Sequence, residues 1–362
     1  MGKWVGGGVE STVMNYYRNI DRTKLQFDFI CDSDSTNIPY EEIKSLGGKV
    51  IICPPYQKFF KYINELKKIY KEGNYKIVHS HINTLSLFSL YAAKHSNIPI
   101  RIAHSHSTTN KRERKRNLIK KILKNFSKVY ATDYFCCSIT AGKWLFGDKI
   151  VNSKRFYLMK NAIDVSKFSY NEITRKNFRK KLNLSDDIFL IGQIGRLVET
   201  KNPFFSLELL KKIICSDKNY RLLFVGNGDL LDKLKEKCLE LGIEDYVIFQ
   251  NQVEDIYNYY QALDCLILPS LYEGLGLVLI EAQCSHLNCI CSTFVTEEAN
   301  LNGEVSYLNI EDYDSWTTKI LSFDKSNKRY TDKELFMENG YDISTAAINL
   351  QERYLKLFNE NR

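Results

Sequence analysis

Two successive series of short apolar segments, each segment separated from the next by a longer stretch of helical periodicity, constrain this chain more than any other feature. In the first series LQFDFIC (25–31), GKVIIC (48–53), KIVHSH (76–81), IRIAHS (100–105), DYFCCSI (133–139) and RFYLMKN (155–161) read as strands. EEIKSL, KFFKYINELKKIYKEG and LSLFSLYAAKHS between them carry helical spacing. Parallel strands need long crossovers, so the alternation predicts βαβ units and a parallel sheet. A second series begins near 188: IFLIGQIG (188–195), YRLLFVGNG (220–228), YVIFQ (246–250), DCLILPS (264–270) and NCICST (288–293), with helical patterns between. The polar, aperiodic stretch 161–176 separates the two series. At about 150 residues per domain, a chain of 362 suits two. The expected organisation is α/β: a doubly wound domain over 1–165, a second over 166–340 with a cleft between them, and a helical segment over 341–362 that packs back on the first.

Composition excludes several classes. With 44% hydrophobic and 26% charged residues the chain is neither disordered nor fibrous. No apolar run reaches the length of a membrane span, and MGKWVGGGVE has no apolar leader core, so the expectation is a cytoplasmic protein. Position 6 is Gly6 rather than Ser or Thr, which argues against myristoylation at Gly2. The ten cysteines form no CxxC pair and read as reduced core thiols, with no cluster at zinc-ligand spacing.

Charge is unevenly spread. Residues 1–160 hold 28 Lys and Arg against 12 Asp and Glu, whereas the remainder holds 23 against 31. Such asymmetry suggests a polyanion or an anionic membrane beside the first half. The densest segment, 111–128, has nine basic residues and one acidic, with Leu118, Ile119, Ile122, Leu123 and Phe126 on one helical face. It reads either as a basic amphipathic helix on a membrane surface, through Lys115, Arg116, Lys120 and Lys121, or as a helix packed on its own domain with its lysines solvated. Nucleic acid is not expected, because no aromatic residues interleave with the basic ones.

Ligands of open parallel sheets bind beyond the carboxyl ends of the strands, which directs attention to the residues that follow each one. Gly6-Gly7-Gly8 precedes a helix start and can bring backbone N–H groups against a phosphate, or form a plain turn. After the strand 188–195 come Arg196 and Lys201, two cations suited to a diphosphate or to a solvated loop, and then Asn202-Pro203 opens a helix. After 264–270, PSLYEGLGLVLIEAQCS places Glu273 in the loop and Glu281 in the following helix, with Gly274 and Gly276 between. Two carboxylates beside an anion site suggest a polyol ligand. Asp32-Ser33-Asp34 and Asp312-Tyr313-Asp314 have the form of metal-binding DxD motifs but read as turn residues.

The glycine loop, GR followed by Lys201, FVGNG, and EGLGLVLIE, in that order, resemble the family 4 retaining glycosyltransferases of GT-B fold, and most of all the bacterial transferases of capsule and exopolysaccharide assembly. RIAHSHS and KNAIDVSKF stand in matching places. The resemblance implies transfer of a sugar from a nucleotide-sugar, with UDP the commonest base, to a lipid-linked or saccharide acceptor, with retention and without a cofactor or fixed metal. Arg196 and Lys201 would hold the diphosphate and Glu281 the ribose. Glu273 would contact the sugar hydroxyls, with the amides of Gly274, Leu275 and Gly276 near sugar and phosphate. Gly7 and Gly8 would approach the diphosphate from the first domain, and His106, in preference to His104, would face the sugar. His79, His81 and His104 are expected as satisfied core or cleft-edge histidines.

Two features depart from the family pattern. Only five residues precede Gly6, where the family carries an apolar strand, so the first sheet is expected to lack its first strand, and a native form to carry about ten further residues. His286 stands where glycine is common. The competing readings are a nucleotide-sugar epimerase on the same fold and a catalytically inactive partner subunit.

Overall fold

The computed structural model describes residues 1–106, 123–324 and 328–360. The chain forms two compact units, one built from 1–163 together with the segment from Gly340 onward, the other from Asp164–Asn339. Lys115, Arg116, Lys120 and Lys121 lie outside the described residues.

In unit 1 the strands are β1 (Asp28–Asp32), β2 (Lys49–Cys53), β3 (Ile77–Ser80), β4 (Ile100–Ser105), β5 (Asp133–Cys136) and β6 (Phe156–Leu158). All pair in parallel, but in two separate sheets, β1-β2 and β3-β4-β5-β6. Next to β1 there is only an isolated parallel bridge from Gly2 to Cys31. Of the three core clusters of unit 1, two pack on β1 and β2. In one, Val13, Met14 and Tyr17 of the helix Gly8–Asn19 meet Phe29, Ile102, and Ile343, Leu350 and Tyr354 of the final helix Ile343–Glu360. In the other, Leu66 and Tyr70 of the helix Phe59–Gly73 pack with Cys53, Ala92 and Ile98.

In unit 2 the strands are β7 (Phe189–Ile194), β8 (Tyr220–Val225), β9 (Val247–Gln250), β10 (Cys265–Leu268), β11 (Asn288–Ser292) and β12 (Ser306–Leu308). They form one parallel sheet in the order β12-β11-β10-β7-β8-β9. The chain winds outward from β7 to β9, then returns to the other side of β7 and winds outward again. β7 and β10 therefore flank the point where the winding reverses. Every residue of β7 and β10 is buried, as central strands require, which is why both read as unbroken apolar runs.

Two local expectations need correction. The stretch 161–176 holds the helix Val165–Phe168 and most of the first turns of Glu172–Lys181. Its polar appearance hides capping: Asp164 and Asn171 each accept a backbone N–H, from Lys167 and Thr174. The second helix is anchored by Phe178, which packs edge-on against Tyr259. β12 was not foreseen either, because three residues are too few to show a period.

Candidate functional site

The site residues of unit 2 follow from the topology. The loop after β7 carries Arg196 and Lys201, and the loop after β10 carries Glu273, so the point where the winding reverses brings the two loops side by side. The Leu271 N–H donates to the Thr200 carbonyl at 2.8 Å, tying them directly. Gln193 of β7 sets the first loop: its amide donates to the Lys201 carbonyl at 2.7 Å, and the Ser206 hydroxyl donates to its oxygen at 2.6 Å. Gln193 is buried, and sequence reasoning missed it. Polar residues inside an otherwise apolar strand were the available signal.

The loop after β7 also leans on the FVGNG turn after β8. The Leu197 N–H donates to the Asn227 carbonyl at 2.9 Å, and Gly226 has φ of 145°. A Cβ on Gly226 would stand 2.1 Å from the Gly195 carbonyl oxygen, so only glycine allows the two turns to touch.

Lys201 and Glu273, predicted to serve phosphate and sugar respectively, form a half-buried ion pair in the ligand-free protein. Glu273 also accepts from the Ser270 hydroxyl at 3.1 Å. Ser270 is itself positioned by Ser292, whose hydroxyl donates to the Ser270 carbonyl at 2.5 Å. Arg196 is exposed, and its guanidinium has no hydrogen bond or ion pair with any described residue. One cation is thus held by a carboxylate and the other is open to an anion. Gly276, at φ 81°, precedes the helix Leu277–Cys284, with Gly274 and Leu275 in the turn before it.

Glu281 lies on that helix and accepts a hydrogen bond from the Tyr260 hydroxyl. Burial raises its carboxyl to about 7, with the Tyr260 bond opposing the shift. Burial, with the Glu281 charge beside it, also holds the Tyr260 phenol well above its ordinary value. Tyr260 was not foreseen as part of the site. It sits in VEDIYNYYQAL, where Tyr257, Tyr259 and Tyr260 look alike in sequence.

In unit 1, Gly7 caps the helix Gly8–Asn19 and its carbonyl accepts the Ser11 N–H at 3.0 Å. The Glu10 carboxylate accepts the Val5 N–H at 3.2 Å and closes the glycine loop. His106 follows β4, and its backbone N–H donates to the Asn83 side chain at 2.7 Å. It does not stand alone. KIVHSH and IRIAHSH end neighbouring parallel strands in register, which sets four imidazoles beside one another. The His81 and His106 ring nitrogens are 2.9 Å apart, as are those of His79 and His104, and the Tyr354 hydroxyl meets His79 at 2.5 Å. Burial pushes all four rings below the ordinary histidine value, His106 to about 3, so they are neutral near pH 7. His79, His81 and His104 bring ligand nitrogens within 4.8 Å of one another. This corrects the reading that no cluster at metal-ligand distance exists: strand pairing, invisible in linear spacing, creates one.

The turn reading of the DxD segments holds only for Ser33 and Asp34: Asp32 ends β1, and Tyr313 and Asp314 open the helix Tyr313–Leu321. Asp34 pairs with Lys3 at 3.1 Å, and Asp312 caps the helix Tyr313–Leu321 through the Ser315 N–H. All ten cysteines are free thiols, and all but Cys215 are buried. No helix among the described residues is long and apolar enough to cross a membrane.

Comparison with known proteins identifies the family and the fold. Residues 6–167 match the family described as Glycosyltransferase Family 4, and residues 174–330 match Glycosyl transferases group 1. The chain is 31% identical over 350 residues to EpsF of Bacillus subtilis (strain 168), which carries a glycosyltransferase name, covering 93% of this chain and 90% of the relative. It is 25% identical over 372 residues to the UDP-Gal:alpha-D-GlcNAc-diphosphoundecaprenol alpha-1,3-galactosyltransferase of Escherichia coli, covering 97% and 94%. Among solved structures, Anabaena HepE in complex with UDP-glucose superposes with a TM-score of 0.70 at 14% identity, over 99% of this chain and 97% of that one.

Proposed function

This chain belongs to glycosyltransferase family 4 and has the GT-B fold of two Rossmann-like domains; from that premise we propose that it is a retaining transferase that moves a sugar from a UDP-sugar to a lipid-linked acceptor in surface-polysaccharide assembly. The observation that carries the reading is the pairing of Lys201 with Glu273 beside the open Arg196, at the point where the winding of the unit 2 sheet reverses. A diphosphate leaving group gains negative charge as the bond from the anomeric carbon to phosphate oxygen breaks. Cations fixed at that place stabilise the transition state more than the ground state. Arg196 supplies a free guanidinium. Lys201 exchanges part of its contact with Glu273 for phosphate oxygen, which leaves the carboxylate to accept from sugar hydroxyls. The amides of Gly274, Leu275 and Gly276 add donors at the amino end of Leu277–Cys284.

In this reading Glu281, oriented by Tyr260, accepts from the ribose hydroxyls. In unit 1, burial keeps His106 a neutral imidazole near pH 7. The acceptor hydroxyl attacks the anomeric carbon on the face the diphosphate leaves, and its proton passes to the departing phosphate oxygen. The charge complement of the diphosphate is Arg196, Lys201 and the helix terminus, so donor binding is expected to survive EDTA. The E. coli relative acts on a diphosphoundecaprenol-linked sugar, and HepE binds UDP-glucose, which supports the acceptor and donor classes. The basic segment with Lys115, Arg116, Lys120 and Lys121 would rest on the anionic inner membrane face, where such an acceptor resides.

A transfer assay with UDP-sugars and polyprenyl-diphosphate sugars tests the reading. Lys201→Ala and Glu273→Ala are expected to lower turnover by ~100-fold or more while the protein stays folded. Turnover at the wild-type rate in both variants would remove these residues from the chemistry.

A further inference from the structure

KIVHSH and IRIAHSH each carry two histidines at a spacing of two, which puts both rings of a strand on one face of the sheet. β3 and β4 are parallel neighbours, and the register that pairs Ser80 with Ala103 brings His81 alongside His104. The ring centres of His79 and His81 are 4.0 Å apart and those of His104 and His106 3.8 Å, while both His79 and His81 stand 5.0 Å from His104. Among the described residues no carboxylate hydrogen-bonds or ion-pairs with any of the four; their partners are one another and Tyr354.

These contacts leave ring nitrogens unused. His104 Nε2 and His106 Nδ1 are buried without a hydrogen-bond partner, which a settled core seldom tolerates. One nitrogen from each of His79, His81 and His104 lies within 4.8 Å of the other two. Nitrogens bound to one zinc ion at ~2.0–2.1 Å stand roughly 3.3 Å apart in a tetrahedron, so small ring rotations close the site. The outer partners of such a site are in place: the Tyr354 hydroxyl meets His79 Nδ1 and His106 Nε2 meets His81 Nδ1, each fixing a ring by the nitrogen that faces away from the ion. Phe135 walls the cluster, its ring centre 5.0 Å from that of His79 and 6.2 Å from that of His104. His81 and His106 keep slight exposure at the carboxyl ends of their strands, which gives an ion a way in.

We propose that His79, His81 and His104 bind one late first-row divalent ion, zinc above all, with Tyr354 and His106 orienting the ligand rings. An all-imidazole set selects zinc, copper or nickel over magnesium and calcium, which take oxygen ligands. The ion replaces the His79–His104 hydrogen bond as the link between β3 and β4. Through Tyr354 it also steadies the final helix Ile343–Glu360 against the sheet, so its role is a clamp within unit 1. The proposal does not depend on the donor or acceptor assignment.

Calorimetric titration of Zn²⁺ into the chelator-stripped full chain tests it, with Co²⁺ as a spectroscopic probe and Mg²⁺ as the control. Saturable binding of one Zn²⁺ per chain is expected, as are the intense visible bands of tetrahedral Co²⁺ and no response to Mg²⁺. With Zn²⁺ at about 100 times its Kd, exchange at Ile77–Ser80 and Ile100–Ser105 should slow by up to about 100-fold and Phe189–Ile194 of unit 2 should not change. His104→Gln should weaken Zn²⁺ binding by at least about 100-fold and Tyr354→Phe by about 10-fold, as for loss of a ligand and of an outer partner. Should His104→Gln fail to fold, the variant with both His95→Gln and His286→Gln, which alters the two histidines outside the cluster, decides: undiminished binding supports the site, and lost binding overturns it. The proposal is also overturned by no saturable Zn²⁺ binding, by equal binding in folded His104→Gln, or by only the weak bands of octahedral Co²⁺.

Discussion

Unit 2 builds one sheet of six parallel strands, whereas unit 1 divides its six between sheets of two and four. The sequence patterns of the two are alike, so the difference lies in what occupies the centre. In unit 2 the position beside β10 is filled by β7, buried along its whole length and followed directly by the Arg196–Lys201 loop. In unit 1 the corresponding place, ahead of the Gly6–Gly8 loop, holds only Met1 and Gly2. A central strand in this topology both pairs two neighbours and aims the phosphate-facing loop. Where it is complete, the loop is tied by Gln193 and Thr200. In unit 1 the Gly6–Gly8 loop closes locally on Glu10.

The comparison can be broken most forcefully at Asp264, which begins the turn into β10. It accepts from Arg175 at 2.5 Å, from Arg179 at 3.1 Å and from the Leu190 N–H at 2.7 Å, all in buried surroundings. Asp264→Ala leaves two guanidinium groups without their carboxylate and is expected to destabilise unit 2 by about 3–5 kcal/mol. Denaturant unfolding followed by exchange at β7 and β10 measures this, and unit 1 strands should be unaffected.

Tyr260→Phe acts next. It removes the one side-chain donor to Glu281 among the described residues and is expected to cost about 1–3 kcal/mol of stability. In the transferase it should raise the KM for the donor more than it lowers kcat, since the ribose is bound alike in ground and transition states. Steady-state kinetics on the folded variant separates the two.

Acidification should move the two units in opposite directions. Glu281 is raised from 4.5 to about 7, so its contribution to stability is present below pH 4.5 and is lost as the pH rises through 7. The four buried histidines of unit 1 are held below their ordinary 6.5, so their contribution is present above pH 6.5 and is lost as the pH falls toward the His106 value of about 3. Asp32, lifted by burial to about 6, and Asp133, also raised by burial, oppose them, whereas the Met1 ammonium, lowered by burial, acts with them. From pH 7.5 to 5.5, once intrinsic rates are corrected, Ile100–Ser105 is expected to exchange faster and Cys265–Leu268 more slowly. Parallel trends in the two units would contradict these environments.

His286 gives the smallest effect. It adopts φ of 48°, the left-handed region where a side chain costs about 1–2 kcal/mol, and its ring lies 4.2 Å from that of Tyr330. Glycine there relieves the strain and forfeits the ring contact. His286→Gly is expected to stabilise unit 2 by about 1 kcal/mol, read as a rise in melting temperature.

Much of the fold was legible because buried parallel strands are written as apolar runs, and those from 25 to 293 coincide with β1 to β11 within a few residues. The helix Glu172–Lys181 was not, because a nearly all-polar helix shows its caps and a single anchor rather than a stripe. In the site, Arg196, Lys201, Glu273 and Glu281 were readable as residues that follow strands. Their partners were not. The Lys201–Glu273 pair joins loops 72 positions apart that meet only through strand order. The four-histidine stack likewise exists only because β3 and β4 pair in register.

The most direct measurement is titration calorimetry of UDP into the protein in EDTA, repeated with Lys201→Ala. Assignment of the diphosphate to Arg196 and Lys201 predicts saturable UDP binding without a divalent ion, weakened about tenfold or more by loss of one charge-assisted contact. UDP binding that requires a divalent ion, or that is equally tight in Lys201→Ala, would contradict it.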